Sequence, residues 1–156
     1  SQAHDITLIT QNVDDLHERA GAQDVWHMHG ALNTALCAAC DHRWPAPPKM
    51  HPHDPCPACA APQTRPDVVW FGEIPYLMDQ IATAIGQADL FAAVGTSGTV
   101  YPAAGFAAMA TEVGALTVEI NLEPSGGSFD QVITGPASQT LPDWVAGLID
   151  NPYGAG

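Results

Sequence analysis

Apolar residues fall into short continuous runs separated by glycine, proline and small polar residues. Residues 5–10, Asp-Ile-Thr-Leu-Ile-Thr, are β-branched and apolar and predict a buried strand. Residues 14–20 have helical character and stop at Gly21, a residue suited to a C-cap. Further on, the pattern alternates. Residues 68–71 predict a strand, 77–88 a helix, Leu90–Val94 a strand, and 101–113 a helix opened by Pro102 and closed by Gly114. Residues 116–120 and Gln131–Thr134 predict two more strands, and 141–149 a last helix. Apolar strands alternating with helices predict an α/β fold, a parallel sheet covered on both faces. Ligands bind such sheets where the carboxyl ends of strands open into loops. Four polar clusters are expected on that rim: residues 10–14, 71–73, 95–98 and 121–123.

The stretch 37–66 breaks this pattern. Pro45, Pro47, Pro48, Pro52, Pro55, Pro57, Pro62 and Pro66 crowd into it and exclude a regular helix or a central strand. It reads as an inserted module (37–66), flanked by the two parts of one domain (1–36 and 67–150), with 151–156 as a tail.

Its order is expected to come from a metal. Cys37-x2-Cys40-x15-Cys56-x2-Cys59 has the spacing of a zinc ribbon. Four thiolates close a tetrahedral shell with no place for water, so the Zn2+ is expected to be structural. His42, His51 and His53 lie in the same insert as bystanders. Paired C-x-x-C units in a chain with no recognisable secretory signal point to a reducing compartment, the cytoplasm.

Charge narrows the partners. Seventeen acidic residues face four basic ones, a formal net charge of −13. That surface disfavours nucleic acid and anionic membranes, and attracts cationic segments such as lysine-rich peptides. It serves solubility equally well. No apolar run is long enough to suggest a transmembrane helix.

Other candidate chemistry is weaker taken singly. His27 and His29 stand in the run Val-Trp-His-Met-His-Gly and share a face on an extended segment. The Gly-Thr-Ser-Gly turn at 95–98 has backbone N–H groups to offer a phosphate or ribose, without the spacing of a G-x-G-x-x-G fingerprint. Asn121 and Glu123 close a strand end, either gripping ribose hydroxyls or capping the turn at Pro124.

In order along the chain, these segments resemble the sirtuin family. The matching stretches are 10–21 (Thr-Gln-Asn-Val-Asp-Asp-Leu-His-Glu-Arg-Ala-Gly), 27–30 (His-Met-His-Gly), the cysteine quartet, 65–73 (Arg-Pro-Asp-Val-Val-Trp-Phe-Gly-Glu), 95–104, 121–124 and 135–138. The Trp-Phe-Gly-Glu and Val-Tyr-Pro-Ala-Ala runs look most like the bacterial, desuccinylase-like branch. The resemblance implies a Rossmann-like parallel sheet, incomplete at its amino-terminal side, with a small zinc-ribbon module. It implies an NAD-dependent protein-lysine deacylase that passes the acyl group to ADP-ribose and releases nicotinamide. His29 would be the general base, and imidazole chemistry near neutral pH suits that role. Gln11, Asn12 and Asp14 would surround the nicotinamide and its ribose. Gly95, Thr96, Ser97, Asn121, Glu123 and Ala137 would hold the adenosine half. Val69, Phe71, Gly72 and Glu73 would line the acyl-lysine channel. The family's glycine-rich pyrophosphate loop has no counterpart in the sequence. The chain is therefore expected to be a truncated or processed piece, with weak NAD binding by itself. The alternative from another class is a non-catalytic zinc-ribbon interaction module on an α/β scaffold.

Overall fold

The computed structural model describes residues 5–51, 53–96 and 102–150. The chain divides into two compact units, residues 1–81 and 82–156.

In the first unit, β1 (Ile9–Thr10) pairs in parallel with β2 (Trp26–His27), and α1 (Leu16–Arg19) lies between them in sequence. The strand expected over 5–10 is thus reduced to its last two residues. Ile6 is 79% exposed, because β2 supplies only two residues of ladder. The chain then enters β3 (Gly30–Cys37), the centre of an antiparallel sheet between β4 (Arg43–Pro45) and β5 (Thr64–Val68). Pro45 and Pro66 both sit on the outer strands, where a missing N–H is tolerated. The strand expected over 68–71 lies instead at Thr64–Val68, and it belongs to this antiparallel sheet, not to the parallel one. Met28, Ala35, Leu36, Cys37 and Cys56 are buried here.

Gly30 is where β3 and β5 first meet. Its φ is +80°, and a Cβ there would land on the Asp67 carbonyl oxygen. No other residue type fits without moving a backbone.

Helix α2 (Met78–Ile85) carries the chain from the first unit into the second. There β6 (Leu90–Val94), β7 (Leu116–Asn121) and β8 (Gln131–Thr134) form a parallel sheet with β7 in the middle. This is the expected Rossmann-like arrangement. A 3-10 turn at Ala103–Gly105 leads into α3 (Phe106–Glu112), which packs on β6 and β7. Phe106 and Ala110 are the buried residues of α3, and Val118 and Ile120 are buried in β7. Helix α4 (Ala137–Asp150) packs on β7 and starts four residues before the expected Leu141. Its Pro142 lies inside the helix and not at its first turn. Among the described residues no helix is long and apolar enough to cross a membrane.

Candidate active site and metal centre

The four cysteines come from two matching turns. Cys37 ends β3, and the amide of Asp41 donates back to its carbonyl (2.9 Å). Likewise Ala60 donates to the carbonyl of Cys56 (2.9 Å). Asp41 and Ala60 both have positive φ, 56° and 60°. The amides of Ala39 and Ala58 donate to the Cys37 and Cys56 sulfurs, each at 3.4 Å. The sulfurs face one another: Cys37 to Cys59 is 3.6 Å and Cys40 to Cys56 is 3.8 Å, and all four lie within 4.8 Å. A tetrahedron with Zn–S of ~2.3 Å has edges of about 3.8 Å, so the donor set fits zinc.

Thiol acidity is divided among them. Burial raises the Cys56 thiol, but backbone donors at Cys59 and Ala58, helped by the Cys37 and Cys59 thiols, bring it down to about 7. At Cys40 a backbone donor at His42 favours the thiolate. Competition from Cys59, burial, and the Cys37 and Cys56 thiols outweigh it and push the group up to about 12.

Two histidines hold the loop after β1. His29 Nδ1 lies 3.0 Å from the carbonyl oxygen of Gln11. A carbonyl only accepts, so Nδ1 carries the proton and Nε2 keeps its lone pair. His27 is committed at both nitrogens: Nδ1 to the Asn12 carbonyl (3.2 Å) and Nε2 to Glu18 Oε1 (2.7 Å). That bond to His27, with help from its own backbone amide, lowers the Glu18 carboxyl. Thr10 Oγ1 accepts from the Asn12 amide, and Asp14 Oδ1 accepts from the Leu16 amide at the start of α1. Gln11, Asn12 and Asp14 therefore share one short loop in the same unit as His29, and of the two histidines only His29 has a ring nitrogen, Nε2, outside these hydrogen bonds.

The segment after β5 is tied to that histidine. The Val69 amide donates to the His29 carbonyl (2.9 Å). Phe71 is fully exposed, and Gly72 has a φ of +91°. Glu73 is exposed but held in place: both its oxygens accept from Arg65, at 2.7 and 2.8 Å, and Oε2 also accepts from the Trp70 amide. Arg65, then the Trp70 amide, hold this carboxyl down to about 2. Sequence reasoning missed Arg65, although it opens one of the quoted motifs.

It also missed a second polar group in this unit. Asp67 accepts from Arg43 Nε (2.8 Å) and from the Tyr76 hydroxyl (2.7 Å), and Arg43 lies over the Tyr76 ring. These side chains wall an open depression of about 440 Å³ that His27 and Gly30 also line.

In the second unit, Gly95 and Thr96 follow β6, and Asn121 ends β7. Asn121 Nδ2 donates to the Thr96 carbonyl (2.7 Å) and its Oδ1 accepts from the Leu122 amide. Its side chain thus braces the turn, and its carbonyl accepts from the Gly135 amide (2.9 Å). Glu123 is exposed, and Ala137 opens α4. Ser97 lies outside the described residues. The four clusters expected on one rim are corrected: 10–14 follows β1 of the two-stranded sheet and 71–73 a strand of the antiparallel sheet, while the described part of 95–98 and 121–123 follow β6 and β7 of the three-stranded parallel sheet.

Comparisons with known proteins converge. The Sir2 family profile matches residues 1–102. An NAD-dependent protein deacylase of Caulobacter vibrioides is 52% identical over 148 residues, 93% of this chain and 62% of that protein. A solved Sir2 homologue in complex with NAD superposes with a TM-score of 0.84 at 35% identity, covering 93% of this chain and 59% of that one. Another, Sir2Af2 bound to a myristoylated histone peptide, gives 0.75 at 30%, covering 94% and 66%. The chain spans less than two thirds of the length of these relatives.

Proposed function

The chain belongs to the Sir2 family, and from that premise we propose that the protein is an NAD-dependent protein-lysine deacylase. The observation that carries this reading is His29. Its Nδ1–H is held by Gln11, so Nε2 is a free base beside the loop of Gln11, Asn12 and Asp14. NAD supplies the ribose carbon that takes the acyl oxygen as nicotinamide leaves. The chain's own residues do the rest. Gln11, Asn12 and Asp14 orient the nicotinamide end, and His29 Nε2 removes a proton from a ribose hydroxyl. Val69, Phe71, Gly72 and Glu73 form the acyl-lysine side. Gly95, Thr96, Ser97, Asn121, Glu123 and Ala137 form the adenosine side, with Asn121 acting through the turn it braces. Acyl-lysine proteins are the substrates.

Zinc belongs to the same reading. Cys37, Cys40, Cys56 and Cys59 hold it, and with four sulfurs around it the ion supplies structure only. The division into an inserted metal module (37–66) and a cofactor portion (1–36 and 67–150) is supported by the paired cysteine turns and the proline content. A reducing cytoplasm is supported by four thiols not joined as disulfides. Similarity to deacylases along most of the chain disfavours the interaction-module alternative.

The test is direct. An acyl-lysine peptide incubated with the whole protein should lose its acyl group only when NAD is present, yielding nicotinamide and O-acyl-ADP-ribose by mass spectrometry. Deacylation without NAD, or none with it, rejects the reading.

A further inference from the structure

We propose that Arg65 is the positioning residue of the substrate turn at 68–73, holding that turn in one shape relative to His29. The inference rests on the deacylase reading for what the turn receives, and on geometry for the rest.

The turn has little of its own to hold it. It follows an edge strand, contains Gly72 at positive φ, and carries Trp70 and Phe71 at 55% and 105% exposure, with Ile74 just beyond it at 81%. Left alone, such a segment would fold its apolar side chains against any nearby surface. Arg65 prevents this from inside the strand. Nη1 donates to Glu73 Oε1 (2.7 Å) and Nη2 to Glu73 Oε2 (2.8 Å), a two-pronged fork. Nη2 also donates to the Val68 carbonyl (3.2 Å), fixing the exit from β5. The guanidinium lies 4.8 Å from the Trp70 ring centre, holding the indole against itself. Glu73 Oε2 in turn accepts from the Trp70 amide, and the Glu73 amide donates to the Trp70 carbonyl. One guanidinium and one carboxylate thus set both ends of the turn. The other anchor is the Val69 amide on the His29 carbonyl.

Two details argue for purpose. Arg65 Nε is buried without a partner, a cost accepted to aim the fork at Glu73. Isolated surface pairs contribute little, but this one is bidentate and shared with a backbone amide and an aromatic face. A lysine has no fork to offer, so charge alone will not substitute. Phe71 and Ile74 are left presented outward while Trp70 is held, which makes the turn a shaped apolar edge for an acyl-lysine segment.

The whole protein is the test object, with Arg65→Gln and Arg65→Lys variants that bind zinc as wild type does. In each, KM for an acyl-lysine peptide should rise at least ~10-fold, while KM for NAD and kcat stay within about threefold. Arg65→Lys should resemble Arg65→Gln more than wild type. Hydrogen exchange at the Trp70 and Glu73 amides should speed up at least ~10-fold, with amides of β3 unchanged. Unchanged peptide KM in an active enzyme overturns the inference, as does a parallel rise in both KM values. Should wild type show no NAD-dependent deacylation, the functional reading fails, and exchange alone then decides the clamp: unchanged rates at Trp70 and Glu73 overturn it.

Discussion

Two histidines two residues apart have opposite assignments because of what their nitrogens already do. His27 spends both on Asn12 and Glu18, whereas His29 spends one and keeps one. We predict that His29→Ala lowers kcat/KM for deacylation at least ~1000-fold, within the range for loss of an acid–base group. His27→Ala should cost no more than ~10-fold, through looser holding of the Asn12 loop. Equal losses would show that the base is misassigned. The proposal of His29 rests, in the sequence, on its place before Gly30; the hydrogen bonds that set it apart from His27 were not legible there, since no sequence pattern reveals which carbonyl a ring nitrogen meets. The role of Glu73 was likewise hidden: only the fold shows its carboxylate turned onto Arg65. Acidity supplies a check. The folded carboxyl sits at about 2, below its ordinary 4.5, so its contribution to stability is present above that ordinary value and lost as pH falls toward 2. The stability difference between wild type and Glu73→Gln should be constant from pH 7 to about 5 and shrink below that in acid denaturation curves. A difference that grows on acidification would contradict the ion pair.

At the scale of elements, legibility followed periodicity. Leu90–Val94 and Gln131–Thr134 were read to the residue because short apolar runs between turn residues have few other uses in a parallel sheet. Strand β3 went unread. Its register against β5 jumps between Ala31 and Ala35, so the period of two is broken within the strand. The run Val68–Phe71 was misplaced because exposed Trp70 and Phe71 look like core in a sequence. Two elements carry predictions. Chelation of zinc, or Cys56→Ala, should speed hydrogen exchange in β4 and the neighbouring cysteine turns while β6 to β8 stay protected. If the parallel sheet opens first, the metal is not a local staple. The loop after β7 is pinned by Thr117, whose amide and hydroxyl donate to Asp130 Oδ2 at 2.8 Å each, and whose Oγ1 accepts from the Asp130 amide. Those donors, backbone first, hold the Asp130 carboxyl below its usual range. Thr117→Val keeps the shape, removes the hydroxyl from a site 1% exposed, and should cost about 1–3 kcal/mol in denaturant unfolding.

The whole molecule is electrically lopsided in a way that bears on its cofactor. All four basic residues, Arg19, Arg43, Lys49 and Arg65, lie in the first unit, whereas residues 82–156 carry Asp89, Glu112, Glu119, Glu123, Asp130, Asp143 and Asp150 with no lysine, arginine or histidine. Three of the four cations are spoken for: Arg43 pairs with Asp67, Arg65 with Glu73, and Arg19 lies 3.9 Å from Asp15. Within its own unit, the proposed adenosine side at Gly95, Thr96 and Asn121 therefore has only neutral donors to set against phosphate charge. Neutral backbone donors can hold a pyrophosphate when a glycine-rich loop arrays them at a helix start, but these residues contain no G-x-G-x-x-G run. A net charge of −13 adds repulsion that is strongest when salt is low. Titrating ADP-ribose, the doubly anionic half of NAD, into this chain should thus give a Kd weaker than ~100 μM at low salt, strengthening as salt rises toward ~0.3 M because screening removes repulsion and no attraction. Ordinary phosphate recognition by lysine or arginine has the opposite sign. A Kd in the low micromolar range that weakens with salt would mean a cation reaches the phosphates after all, and Lys49 would be the first residue to replace.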